Sequence, residues 1–377
     1  MSPLVERITG DQPIPVIVVG AGGMGSAWIA AAEESPLVEL RGVVDLDEDV
    51  ARAAATAVGR PRLATGTRTA ALAKTTGARA VINVTVPEAH HPVTTEALLA
   101  GLPVLGEKPV AATLEESLAL AATSELSGQL FMVSQSRRYN RHVAETRTLS
   151  AHLGSLGICT VDFFKAPRFG GFRDAMPHPL LVDMAIHQFD LARLLLGAEP
   201  VSVVCEEYNP PWSWYRGASG ATAIFEMTGG SRFVFTGNWC SRGLETSWNG
   251  HWRLSGEHGT VVWDGDNSPV AEPAPREIPR ADPAGEGILG ALAEFVAALR
   301  SGALPAGEVR GNILSFAMVE AAVSSASTGR RVVIAELLEE SLAAALDQPF
   351  APQVVEGLRA DGLLASILSP NVRAARS

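Results

Sequence analysis

The sequence predicts an α/β protein of two domains, a doubly wound parallel sheet of Rossmann type followed by an α+β domain with a large, mainly antiparallel open sheet. Three observations predict it. From Pro15 short β-branched runs alternate with Ala-rich stretches of helical length, as in a parallel sheet covered by helices. After about Ser134 the alternation gives way to successive strand-like runs separated by turn signals. The length, 377 residues, exceeds what one ordinary core supports.

In the first domain, expected over residues 11–133, Val16 to Val19 reads as a buried strand and residues 24–34 as the helix after it. Leu40 to Asp45 is a second strand, and a helix begins near Asp49. Ala80 to Val84 is a strand followed by a helix from about Pro92 to Ala100. Leu102 to Leu105, then Leu114 to Ser124 as helix, then Gln129 to Val133 complete the series.

The second domain is expected over residues 134–336. Pro179 to Leu196 reads as one helix. Strands follow at Val201 to Tyr208, Ala221 to Met227, Arg232 to Trp239, His251 to Ser255 and Thr260 to Trp263. Thr228-Gly229-Gly230-Ser231 suits a tight hairpin, since glycine accepts the positive φ such turns need. Asp264 to Glu286, rich in Pro, Asp and Ala, reads as a surface loop. Helices at Ile288 to Arg300 and Asn312 to Thr328 and a strand at Arg331 to Ile334 complete the domain, and residues 337–377 form a helical tail.

Composition narrows the function. Acids outnumber bases 41 to 30 and no basic stripe is interleaved with aromatics, which argues against a nucleic-acid partner. The three cysteines, Cys159, Cys205 and Cys240, lie far apart, so neither a metal site nor a redox pair is expected. No apolar run approaches the ~20 residues of a membrane span, and the first 15 residues lack a signal-peptide core. The expectation is a cytoplasmic protein without membrane or metal.

Gly20-Ala21-Gly22-Gly23-Met24-Gly25 matches GxGxxG between a strand and a helix, the context that gives the motif meaning. Gly20 permits the tight turn, Gly22 lets the backbone approach a pyrophosphate, and Gly25 lets helix and strand pack closely. The amides of the first helical turn, opened by Gly23 and Met24, then face the anion. Asp45, at the end of the second strand, stands where a carboxylate binds the ribose hydroxyls and repels a 2′-phosphate. The expected cofactor is NAD rather than NADP, with Arg41 and Arg52 keeping NADP open.

Chemistry enters with two further segments, Val104-Leu105-Gly106-Glu107-Lys108-Pro109 and residues 181–190, LVDMAIHQFD. Oxidising a secondary alcohol needs a hydride acceptor, which a nicotinamide supplies, and a base for the hydroxyl proton. Asp183 and His187, at i and i+4 of a helix, share a face, and a carboxylate beside an imidazole orients it as a base. Lys108 ends a strand where a doubly wound sheet holds its ligand, and its ammonium can stabilise a developing alkoxide.

Together with the glycine loop, these segments resemble the Gfo/Idh/MocA oxidoreductases, the glucose–fructose oxidoreductase and inositol dehydrogenase family, from about Val16 to Ile334. The resemblance implies catalytic roles for Lys108, Asp183 and His187. It also implies cofactor contacts from Glu107 and Lys108 and from the loop Thr85-Val86-Pro87, with His91 near the nicotinamide-side ribose. Ser136-Arg137-Arg138-Tyr139 resembles the family's crossover between domains. Ala185 stands where the family usually has glycine, which narrows the space beside the cofactor without removing a catalytic group.

The expected activity is NAD-dependent hydride transfer to or from a secondary hydroxyl of a sugar, glycoside or cyclitol. A redox-assisted glycosidase or epimerase with tightly held NAD, and a non-catalytic nicotinamide-sensing protein, are the alternatives. Lys108, Tyr139, Arg168, Asp183 and His187 are the expected substrate contacts, Arg168 from a Gly- and Arg-containing loop over residues 165–173. Trp212, Trp214, Trp239, Trp248 and Trp252 gather in the second domain, where indoles either stack on sugar rings or fill the core. The resemblance implies a homodimer or homotetramer paired through the second sheet.

Overall fold

The computed structural model describes residues 7–274 and 285–368. The first unit opens with β1 (Ile14–Val19), α1 (Gly23–Glu34), β2 (Val38–Val44), α2 (Glu48–Ala57), β3 (Ala64–Gly66) and α3 (Thr69–Thr76). It continues with β4 (Ala80–Asn83), α4 (Pro87–Leu99), β5 (Val104–Glu107), α5 (Leu114–Ser127) and β6 (Phe131–Ser134). The six strands are parallel in the order β3-β2-β1-β4-β5-β6. The order reverses between β1 and β4, so the loops after these two strands flank the crevice in which such sheets bind ligands. Val16, Ile17, Val18 and Val19 are buried, which is why β1 reads as an unbroken β-branched run.

Two elements here, β3 and α3, are absent from the sequence reading. Residues 64–66 of β3 are only half-buried, so no apolar run marks them. The helix expected from Pro92 starts at Pro87, which takes the first helical position, while Pro92 is accommodated inside.

The second unit begins with a 3-10 turn at Ser136–Tyr139 and then α6 (Arg141–Ser150), β7 (Leu156–Phe164) and α7 (Phe172–Ala175). A π-helical turn over Leu180–Ala185 leads into α8 (Ile186–Leu196). The strands β8 (Pro200–Tyr208), β9 (Gly220–Met227), β10 (Arg232–Asn238), β11 (His251–Gly256), β12 (Gly259–Trp263) and β13 (Val270–Glu272) follow. The chain ends with α9 (Gly287–Ser301), α10 (Val309–Thr328), β14 (Val332–Val333), α11 (Ile334–Leu346), α12 (Pro352–Leu358) and α13 (Leu363–Leu368).

The second sheet runs β13-β12-β11-β7-β10-β9-β8-β14 and is antiparallel except where β7 pairs with β10. Strand β7 sits near its middle although the sequence reading passed over it. The expected single helix at Pro179 to Leu196 is two elements, and β13 lies inside the expected loop Asp264 to Glu286, of which residues 275–284 fall outside the described residues. Gly229 and Gly230 make the expected hairpin turn with φ of 79° and 85°.

One face of the sheet packs on α8. Phe189 meets Phe225, Phe233 and Phe235 with ring centroids 4.9, 5.9 and 5.4 Å apart. Arg138 grips Asp190 of α8 with two bonds of 2.6 Å, and Ser315 donates to the same carboxylate at 2.6 Å. Arg138 of the expected crossover is therefore an anchor for the start of this unit.

The division of the chain departs from the expected boundaries. Residues 285–313 and 340–368 cluster with residues 7–136, not with the second unit or in a separate tail. Hydrogen bonds explain the return of α9. The Ile8 N–H donates to the Leu299 carbonyl at 2.8 Å, and Arg300 donates to the Gln12 carbonyl at 2.8 Å.

Candidate functional site

The glycine loop sits at the carboxyl end of β1. Gly20 has φ +96°, and a Cβ there would lie 2.6 Å from the Val84 carbonyl oxygen. A Cβ on Gly25 would lie 2.1 Å from the Gly20 carbonyl oxygen. Both glycines are thus required by the protein's own packing. Gly22 and Gly23 differ, for a Cβ on either meets nothing within 4 Å. Their openness is a cradle above the first turn of α1, where backbone amides point outward.

Asp45 follows β2 and reaches this loop. Its Oδ2 accepts from the Ala21 N–H at 2.9 Å and its Oδ1 from the Asp47 N–H at 3.1 Å. The exposed apolar side chains nearby fit planar ring ligands. Met24 in the first turn of α1, and Leu46 and Val86 in the loops after β2 and β4, are 52%, 93% and 63% exposed. Leu46 was not among the expected contacts, and its only sequence signal is an apolar residue between two acids. The open cradle, the anchored carboxylate and the bare apolar rim fit a dinucleotide such as NAD.

The loops after β4 and β5 are braced by residues that the sequence reading left aside. Asn83 Oδ1 accepts from the N–H and hydroxyl of Thr85 at 3.2 and 2.8 Å, so Thr85 is fixed before Val86 and Pro87. The buried His90 places Nδ1 2.7 Å from the Pro109 carbonyl and Nε2 3.1 Å from the Thr85 carbonyl, joining the two loops. Burial pushes this imidazole below its ordinary pKa, ahead of the opposing pull of the two carbonyls. Its neighbour His91 packs on Phe350 with ring centroids 4.9 Å apart. His91 Nε2 is buried with no hydrogen-bond partner among the described residues, and burial lowers the ring's pKa too.

Glu107 is held on both oxygens from within the protein. Trp28 of α1 donates its indole N–H to Oε1 at 2.8 Å, and the Lys108 N–H donates to Oε2 at 3.2 Å. Withdrawal from water pushes the Glu107 carboxyl up, against these donors and the nearby Lys108 charge. Glu107 thereby fixes the backbone from which the half-buried Lys108 projects at the end of β5.

In the second unit, Asp183 sits in the π-helical turn and His187 in the first turn of α8, both half-buried. Asp183 thus lies in a π-helical turn, a geometry that recurs at functional sites. Asp183 Oδ2 accepts from Arg173 Nε at 2.6 Å, a partner that the sequence reading did not assign. Ala185 is fully buried between them. Tyr139 is half-buried at the end of its 3-10 turn.

In the loop after β7 the Pro167 carbonyl accepts two bonds, beside those that Lys165 and Ala166 make. Trp214 donates to that carbonyl at 3.1 Å and Tyr215 at 3.0 Å. Burial pushes the Tyr215 phenol up to about 12, so it stays a donor. Arg168, exposed, lies over the Trp214 ring 3.9 Å from its centroid. Trp239 and Trp252 are buried as core, whereas Trp212 and Trp248 are exposed.

The chain is similar to known proteins. Residues 14–135 match the oxidoreductase family with an NAD-binding Rossmann fold, and residues 159–262 match the GFO/IDH/MocA C-terminal domain. The chain is 28% identical to the uncharacterized protein y4oX of Sinorhizobium fredii, over 86% of this chain and 96% of that protein. It is 26% identical to a D-apiose dehydrogenase of Paraburkholderia graminis, over 86% and 90%. An inositol 2-dehydrogenase of Corynebacterium glutamicum is 31% identical, but over only 51% of this chain and 57% of that enzyme. Among solved structures, an Agrobacterium radiobacter oxidoreductase in complex with NAD+, L-tartaric acid and magnesium superposes with TM-score 0.76 at 19% identity, covering 86% of this chain and all of that one. The two family matches together span more than half of the sequence, in the expected order, and the chain therefore belongs to the Gfo/Idh/MocA family of NAD-binding oxidoreductases.

Proposed function

We propose that this protein transfers hydride reversibly between NAD and one secondary hydroxyl of a sugar, glycoside or cyclitol. The observation that carries the reading is the presence of Lys108, Asp183 and His187 together in a chain of this oxidoreductase family. Relatives named D-apiose dehydrogenase and inositol 2-dehydrogenase support the substrate class. NAD, when bound by the glycine cradle and Asp45, supplies the hydride acceptor.

In this reading His187 takes the hydroxyl proton. Asp183 orients the imidazole, and Arg173 fixes Asp183 in turn. Lys108, held by the Trp28–Glu107 bond, stabilises the oxygen as it gains negative charge. Tyr139 and Arg168 donate to further hydroxyls. The outer face of the second sheet, where Ile158, Val201, Val204 and Ile224 are exposed, supports pairing of two copies there, a homodimer or a homotetramer built from it.

The experiment is a screen of sugars and cyclitols with NAD and NADP, following reduction of the nicotinamide. Lys108→Ala and His187→Ala should each lower turnover by about 10²- to 10⁴-fold, while NAD binding, titrated separately, survives. Wild-type turnover in either variant contradicts the assignment.

A further inference from the structure

The end of the second sheet at which β7, β8 and β10 finish gathers four cations, Lys165, Arg168, Arg173 and Arg242, among aromatic rings. Two of them are neutralised. Lys165 lies 2.5 Å from Glu245, and Arg173 lies 2.6 Å from Asp183. The other two meet no carboxylate among the described residues. Arg168 and Arg242 instead share one indole, with guanidinium carbons 3.9 and 5.7 Å from the centroid of the Trp214 ring.

That arrangement is unusual in a chain of formal net charge −11, where carboxylates are abundant. Two guanidiniums brought to one ring repel each other, and cation–π attraction offsets only part of that cost. A ring contact takes up none of the guanidinium N–H donors, which remain for other acceptors. These donors match the two oxygens of a carboxylate, or those of a phosphate, in bidentate fashion. Both arginines are exposed, so a small anion can reach them.

An open depression of about 420 Å³ is lined by Arg242, Asn238, Cys240, Ser241, Trp212 and Phe164, so that Arg242 belongs to its wall while Arg168 and Trp214 do not. That is the size range of small-molecule sites. Trp212 is held by a bond from its indole N–H to the Cys240 carbonyl at 3.2 Å, and its ring remains exposed. A sugar ring laid on that indole can bring an anionic substituent to Arg242. The loop bearing Arg168 continues to Arg173, which holds Asp183, so the cation pair and the candidate catalytic helix are linked within one unit.

We propose that the substrate is an acidic sugar, a monosaccharide-sized ring bearing a carboxylate or phosphate that Arg168 and Arg242 bind at Trp214. The proposal deepens the sugar dehydrogenase reading and rests on it for turnover, though not for binding.

The test compares glucuronate, galacturonate, glucose 6-phosphate, glucose and myo-inositol as substrates with NAD. Binding is read independently by quenching of indole fluorescence during titration with each. An acidic sugar should exceed its neutral counterpart in kcat/KM by about tenfold or more, the worth of one charge-assisted bond. The excess should lie in KM and shrink as ionic strength rises. The double variant Arg168→Gln/Arg242→Gln should lose the preference, and Arg168→Lys/Arg242→Lys should restore part of it. A preference for carboxylate over phosphate, or the reverse, identifies the substituent. Neutral sugars used as well as acidic ones, or a preference that survives the Gln pair, overturns the proposal. Saturable quenching by an acidic sugar that the Gln pair abolishes, with no reduction of NAD by any sugar, upholds the anion site and overturns the dehydrogenase reading instead.

Discussion

Gly22→Ala separates what the fold requires from what the cofactor requires. Gly22 has φ −69° and ψ −162°, extended backbone that an alanine adopts without strain, and a Cβ there meets nothing within 4 Å. The folded protein should therefore accept the methyl. Stability should stay level or rise by about 0.4–1 kcal/mol, because alanine restricts the unfolded chain. The same methyl projects into the open cradle where a pyrophosphate must approach the backbone. Forcing one methyl into such a contact costs about 1–3 kcal/mol, which is about a 5- to 150-fold rise in Kd. Gly20→Ala and Gly25→Ala supply the contrast, since their Cβ atoms would fall 2.6 and 2.1 Å from backbone oxygens and must disturb the fold itself. The assay pairs urea unfolding without NAD with titration of NAD by protein fluorescence. A Gly22→Ala protein that binds NAD as wild type does, or that unfolds as early as Gly25→Ala, would refute the reasoning.

Other perturbations address the scaffold. His90→Leu leaves the half-buried Pro109 carbonyl without its imidazole partner and should cost about 1–3 kcal/mol, read as the shift in urea midpoint at pH 8; a loss within error removes His90 as a brace. Because the folded pKa of His90 lies below its ordinary value, the folded state binds that proton less tightly than the unfolded chain does. Its contribution is complete above about pH 6.5 and falls away on acidification toward the folded pKa, so the stability gap between wild type and His90→Leu should narrow in acid. Arg138→Met strands the buried Asp190 carboxylate and should destabilise by about 3–5 kcal/mol; unchanged unfolding would mean that Ser315 alone satisfies Asp190. Val204 and Ile224 face each other across β8 and β9 on the outer side of the sheet. Val204→Lys/Ile224→Lys should shift a homo-oligomer to smaller species in sedimentation, and an unchanged distribution would place the interface elsewhere.

Local chemistry written in consecutive residues was readable in advance. The β-branched run of β1 and the glycines that follow specify strand and turn through short-range sterics alone, and both appear where expected. The strands of the second sheet from β8 to β12 were found to within a residue or two because alternation and turn glycines mark them. Strand β7 buries Cys159, Val161 and Phe163 at alternate positions with Asp162 turned outward between them, but Gly157 and the exposed Ile158 ahead of them do not continue that period.

Tertiary structure decided what depends on partners distant in sequence. His90 and His91 are indistinguishable as text, yet one bridges two loop carbonyls and the other lies on Phe350, 259 residues on. Trp28 has no sequence mark of its 2.8 Å bond to Glu107, nor Arg173 of its hold on Asp183. Helix α9 joins the first unit through carbonyls and amides near the start of the chain, a choice that its own amphipathic pattern leaves open. Periodicity and turn chemistry act over a few residues and are written locally. The pairing of a buried donor with its acceptor is settled only when the whole chain must satisfy its polar groups away from water.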